Sequence, residues 1–342
     1  MLVGHKKQWE FLKKSAELNR ISHAYLFSGQ SQLGKRTVAR EFTKLLFCQK
    51  APHHFSRSSS DQTNFAKSGG GCQICRSCQD IQIGIHPDFI QIQPEGIPSH
   101  NVASFNKTSE KEESRSKKEI RISQIRDLIR KLFLKSALSP FKVAIIDEAH
   151  RLNSEAQNCF LKTLEEPKGK TILILITEYP QVLFPTILSR VQEIKFTPVS
   201  QLEIENYLQN QGCSLEKSQE ISFISAGKLG LAINFFQNPD TLQKYEQKIR
   251  EIDQLKGADL ISRFQYVKSL VSQKENIAEI LNIWLRYFRA ILLEKIKKTS
   301  RHGQYSVHKL KGIINIVERI YFLLERTNVS QRLALEQIML EL

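Results

Sequence analysis

The stretch from Gly29 to Thr37, "GQSQLGKRT", has the glycine and lysine spacing of a phosphate-binding loop and then departs from it at one position. In the pattern G-x-x-x-x-G-K-[ST] the glycines let backbone amides wrap an anion and the lysine neutralises the β and γ phosphates. The hydroxyl that follows coordinates magnesium. Arg36 stands where that hydroxyl belongs. A guanidinium stays cationic and has no acceptor atom, so it repels a metal there. Thr37 does not substitute, because one step along a helix turns a side chain by about 100°. In "FKVAIIDEAH", Asp147 and Glu148 close an apolar run, where one carboxylate can hold magnesium and the other polarise water. The nucleotide set expected from spacing is thus Gly29, Gly34, Lys35, Arg36, Thr37, Asp147 and Glu148, with the metal position degenerate.

A second constellation is Cys72-x2-Cys75-x2-Cys78 with Cys48 upstream. Four thiolates suit tetrahedral zinc and leave no open position for a substrate water, so the metal is structural. A ferredoxin-type cluster would place a fourth cysteine where Gln82 stands. His53, His54 and His86 are alternatives to Cys48 as fourth ligand, whereas Cys159, on the apolar face of a helix, and Cys213, in a turn, read as ordinary structural residues. Ser189 and Arg190 end "FPTILSR" just before the strand-like "VQEIKF", and spacing alone reads this arginine as a solvated loop charge.

Particular elements must position these groups. "HAYLFSG" reads as a short apolar strand ending in glycine, and "KRTVAREFTKLLFC" has helical spacing at Val38, Phe42 and Leu45 to Leu46. Strand, loop and helix start is the context a phosphate loop requires, since loop amides and the helix N-terminus then point at the anion. "FKVAIIDEAH" and "KTILILIT" are continuous apolar strands of the kind covered on both faces, as in a parallel sheet with helices on each side. Between them "LNSEAQNCFLKTLEEP" starts on a capping Asn153 and stops before Pro167. This alternation predicts an open α/β sheet over residues 1–198. After it the chain reads as short helices with a glycine-punctuated turn at 227–230, and from 241 onward as long amphipathic helices. "APHHFSRSSSDQTNFAKSGGG" and the charged insertion at 107–119 read as solvated loops.

The 342 residues suffice for several domains, and a net charge of +15 favours polyanionic partners. The N-terminus "MLVGHKKQWEFLKK" lacks the apolar core of a secretory signal, and no run of about 18 apolar residues could span a bilayer. Six cysteines over this length do not make a disulfide framework. A soluble, cytoplasmic protein is expected.

Taken together, "HAYLFSG", the four-cysteine set, "HPDFIQIQPEG", "IRISQIRDLI", "AIIDEAHRLNSEAQNCFLKTLEEP" and "TILSR" resemble the AAA+ clamp-loader family of bacterial DNA polymerase III. The likeness is dense over residues 1–198 and looser beyond. It implies an α/β AAA+ module of P-loop NTPase type at 1–198 with a zinc module inserted at about 48–78, a helical lid at 199–240 and an all-α collar at 241–342 that drives oligomerisation. It also implies DNA replication as the process, with a loader of gamma/tau and delta subunits placing a sliding clamp on primer-template DNA at the expense of ATP, and no membrane.

Some members of this family are poor ATPases that instead present the arginine of a Ser-Arg-Cys motif to ATP held by a neighbouring gamma/tau subunit. Arg36 fits that kind, and so does Gly230 in "GKLGLA", where active members place a lid arginine. The motif arginine carries over to Arg190 after Ser189, although Val191 replaces the cysteine. Thr177 matches the position that senses the γ phosphate in active relatives, and is vestigial here along with Asp147 and Glu148. The resemblance thus implies structural zinc, and no working ATP and magnesium at the chain's own loop.

Two rival readings are an active gamma/tau-type ATPase and a stand-alone zinc-containing DNA-binding protein. The first needs another residue to hold magnesium. Against the second, "CQICRSC" has few basic residues and no recognition helix follows it. "DEAH" also occurs in helicases, but no second motor domain accompanies it.

Overall fold

The computed structural model describes residues 3–50, 70–94, 119–167, 169–273, 275–296, 306–327 and 329–342. His53, His54 and the charged insertion at 107–118 lie outside the described residues. The chain divides into two compact units, Met1–Val199 and Ser200–Leu342.

In the first unit, helix α1 (Lys6–Glu17) leads to strand β1 (Ala24–Ser28) and helix α2 (Lys35–Phe47). Helix α3 (Arg76–Ile83), strand β2 (Phe89–Ile92), helix α4 (Ile122–Phe133) and strand β3 (Lys142–Ile146) follow. Helix α5 (Ser154–Glu165), strand β4 (Thr171–Thr177), the four-residue turn of helix α6 (Pro185–Leu188) and strand β5 (Gln192–Lys195) complete the unit. The five strands form one parallel sheet in the order β2-β3-β4-β1-β5.

Every residue of β1, β3 and β4 is buried, because both faces of the sheet are covered. Period-two alternation sends Tyr25 and Phe27 to one core with Val38, Phe42 and Ile174, and Ala24 and Leu26 to the other with Leu128, Phe160 and Leu173. The continuous apolar strands of the sequence are therefore the central strands, while edge strand β5 exposes all but Ile194. Helix α5 begins where expected, with Asn153 Oδ1 accepting from the Ala156 amide at 2.8 Å.

The second unit is helical: α7 (Gln201–Asn210), α8 (Leu215–Ser225), α9 (Leu229–Gln237), α10 (Pro239–Leu255), α11 (Leu260–Ser272), α12 (Ile277–Ile296), α13 (Val307–Arg326) and α14 (Gln331–Glu341). Helices α12 and α13 pack along each other, with Trp284, Phe288, Leu310 and Val317 fully buried. Gly230 lies in the first turn of α9. Among the described residues, no helix is long and apolar enough to cross a membrane.

Candidate functional site

Because all strands run parallel, Ser28, Ile146 and Thr177 end at one edge of the sheet, where ligands bind in open α/β folds. The loop leaving β1 turns on two glycines. Gly29 has φ +139° and passes so close to the Phe196 carbonyl oxygen that a Cβ would meet it at 2.4 Å; Gly34, with φ +99°, precedes the first residue of α2. The loop is thus built as its spacing predicts, but its cations are already engaged.

Lys35 is buried, and its ammonium donates to the carbonyl oxygens of Gly29 and Gln30 within the loop itself. Burial holds its pKa below the ordinary lysine value, against the pull of Glu178 and Asp147. Arg36 Nε donates to Asp147 Oδ2 at 2.6 Å, and its Nη2 reaches Gln93 Oε1 at 3.3 Å. The other Asp147 oxygen accepts from the Glu148 amide at 3.1 Å. Arg36 therefore lies against the carboxylate that would hold magnesium. The covalently attached cation of Arg36 takes the partner that a divalent ion would need, and oxygen ligation offers no role to a guanidinium.

The remaining groups of the set are likewise committed. Glu148, at a positive φ of 50°, is ion-paired with Arg151. Thr177 is 1% exposed, with its hydroxyl bonded to His150 Nδ1 at 3.2 Å and accepting from the Tyr179 amide at 3.1 Å. Thr37 is exposed on α2, turned off the site as helix geometry requires.

Sequence reasoning missed Arg40, Gln91 and Gln93. One turn beyond Arg36, Arg40 donates to Gln91 Oε1 at 2.8 Å, while its buried Nε has no partner among the described residues. The i, i+4 spacing on α2 facing the i, i+2 spacing from β2 was the signal available.

Breaking the Arg36–Asp147 pair has a measurable consequence. The side chains are 38% and 14% exposed, between the surface and buried cases. Arg36→Ala is expected to lower unfolding free energy by about 1–2 kcal/mol, and most of the loss should vanish in an Asp147→Ala background. Denaturant titration of the four proteins of that cycle checks it.

The cysteine set converges. Cys48 follows α2, Cys72 and Cys75 precede α3, and Cys78 sits in its first turn. All four sulfur atoms lie within 4.8 Å of one another, and Cys48 and Cys75 are 4.0 Å apart. A tetrahedral metal with Zn–S bonds of about 2.3 Å requires sulfur separations of roughly 3.8 Å, so this donor set fits a closed tetrathiolate centre.

The amides of Cys72 and Cys75 donate to the sulfurs of Cys48 and Cys72 at 3.4 and 3.2 Å. The hydrogen bond from the Cys78 thiol brings Cys48 down to about 5 and leaves Cys78 raised. A Cβ at Gly71 would come 2.5 Å from Cys78 Sγ, which explains the glycine there. Of the alternative ligands, His86 is not in the cluster. It is buried against Phe47, with ring centroids 4.9 Å apart, and accepts from the Asp88 amide at 3.2 Å. Cys159 packs against the core beneath α5, and Cys213 is buried after α7.

Arg190 lies beyond α6, at the surface. Its Nη1 donates to Thr186 O at 3.0 Å and Ser189 Oγ at 3.2 Å, and its Nη2 meets Glu165 Oε1 at 2.8 Å. Spacing gave no hint of Glu165, which is distant in sequence and one of two consecutive acids ending α5.

The parallel sheet with a glycine-lysine loop between β1 and α2, and an acidic pair after β3, defines an open α/β domain with a loop of P-loop type, in which the arginine after the lysine is paired with the first acid. Its zinc-type cysteine cluster sits between α2 and β2. The chain belongs to the DNA polymerase III, delta subunit family, whose profile matches residues 4–200.

It is 32% identical over 169 residues to DNA polymerase III subunit delta-prime of Pseudomonas aeruginosa, covering 49% of this chain and 41% of that one. The same subunit of Bacillus subtilis is 33% identical over 207 residues, 60% of this chain and 51% of that one. The chain thus spans about half the length of these curated relatives. It is also 34% identical over 199 residues to Bacillus subtilis DNA polymerase III subunit tau, covering 58% of this chain and 29% of that one.

Proposed function

We propose that the chain is a delta-prime-type subunit of a DNA polymerase III clamp loader. In this reading it does not hydrolyse ATP at its own loop and lends Arg190 to ATP held by a neighbouring gamma/tau subunit. Residues 199–240 serve as its lid and 241–342 as its oligomerising collar. Gamma/tau and delta subunits are the direct partners, and the sliding clamp and primer-template DNA are reached through the complex. As a replication subunit it works in the cytoplasm. The four cysteines hold zinc, which ties the end of α2 to the start of α3 and takes no part in chemistry.

The observation that carries the reading is the Arg36–Asp147 ion pair at 2.6 Å. Phosphoryl transfer in P-loop enzymes needs magnesium held between the loop hydroxyl and the strand-end carboxylate. Here the hydroxyl is absent, and both oxygens of the carboxylate accept hydrogen bonds from the chain itself. Lys35, turned onto two loop carbonyls, would also have to give up those bonds to meet a phosphate. The same features count against the gamma/tau-type ATPase, despite the similarity to tau.

The isolated chain is accordingly expected to release no phosphate above background at saturating ATP and magnesium. A turnover near one per second, within the ordinary enzymatic range of about 1 to 1000 per second and lost in Lys35→Ala, would move the chain to the motor class.

A further inference from the structure

We propose that Glu165 is a positioning residue for Arg190, setting the pose in which the guanidinium meets a neighbour's γ-phosphoryl group; this rests on the trans-arginine reading above. An arginine carries five N–H donors in a rigid planar fork. Within its own chain Arg190 Nη1 donates to Thr186 O and Ser189 Oγ, and Nη2 lies 2.8 Å from Glu165 Oε1 in an ion pair. These contacts hold both terminal nitrogens of the guanidinium.

The backbones carrying the two partners are fastened together. The Phe184 amide, at the start of α6, donates to Gln157 Oε1 of α5 at 2.9 Å. His23 Nε2 is bonded to the Leu164 carbonyl at 3.1 Å, one residue before Glu165. Leu164 and Ile187 are buried in the same core. The carboxylate therefore stands on a rigid support.

Surface ion pairs of this kind, 37% and 49% exposed at their side chains, add little to stability. Their effect is orientation. A misplacement of about 1 Å can cost roughly 100-fold at a reacting centre. The contact with Nη2 is an ion pair, so the carboxylate acts on the guanidinium through its charge.

That charge sets the test. In a reconstituted loader of verified stoichiometry, Glu165→Ala is expected to lower clamp- and DNA-stimulated kcat about 3- to 10-fold with the KM for ATP unchanged, since Thr186 and Ser189 still hold Nη1. Glu165→Gln, which keeps the shape but not the charge, should recover little of the rate, and Glu165→Asp more of it. Glu165→Ala should have no further effect in an Arg190→Ala background.

If Glu165→Ala is silent while Arg190→Ala lowers the rate, positioning by Glu165 is wrong and the arginine's role stands. A Glu165→Ala loss that persists in the Arg190→Ala background means Glu165 acts elsewhere, and the proposal fails. An unchanged rate in Arg190→Ala removes the trans arginine, and the positioning role with it.

Discussion

Replacing Arg190 with alanine is expected to leave folding, metal content and assembly intact while lowering the stimulated ATPase and the clamp-loading rate of the whole loader. The side chain is surface-exposed and supports no core, so its removal should be structurally quiet. What it would take away is a fork aimed at charge developing on a transferred phosphoryl group. An arginine supplied in trans contributes roughly 1000-fold or more at such a site. A loader with several ATP sites should lose less in total, because other sites keep their own arginines. Arg190→Lys should rescue little, since one ammonium does not reproduce two parallel donors. Steady-state phosphate release and clamp loading, both with subunit stoichiometry verified, measure the effect.

Removal of the metal should have the other large effect, on structure. One equivalent of zinc per chain is expected on metal analysis, lost in Cys78→Ser, which replaces a residue only 1% exposed. Among the described residues the cysteines form a small cluster of their own, apart from the cores of the sheet. Structural zinc in peptides of this type contributes on the order of 10 kcal/mol to folding. Residues 70–83 should therefore become sensitive to protease once zinc is stripped. The sheet should persist, since Ile81 is the one residue of 70–83 among those that build its two cores. Protein purified reduced and without chelator that contains no zinc would contradict the assignment. Zinc retained by Cys48→Ser would move the fourth ligand elsewhere.

The sequence carried much of this through local signals. β1, β3 and β4 were legible because a strand covered on both faces must be apolar throughout, and the start of α5 because Asn153 is a capping residue. The four thiols were legible because metal ligands keep short spacings. Strand order was not, since pairing β1 with β4 joins segments far apart in the chain.

Long-range pairing is also why the site was only half visible. Arg36 could be read as hostile to magnesium from its own chemistry. That it takes Asp147, 111 residues away, depends on the placement of α2 over the sheet. The engagement of Lys35 with its own loop carbonyls leaves no trace in the spacing. Glu165 and Arg190 meet only because α5 and α6 are fastened through Gln157, a residue that reads in sequence as an ordinary helical polar position.

The central claim is that this chain completes a neighbour's ATP site and has no working site of its own. ATP turnover of the reconstituted complex, measured with the unsubstituted chain, with Lys35→Ala and with Arg190→Ala, tests it most directly. Equal rates are expected for the unsubstituted and Lys35→Ala complexes, with a clear loss in Arg190→Ala. A loss with Lys35→Ala and none with Arg190→Ala would contradict it, and would make the chain one of the loader's motors.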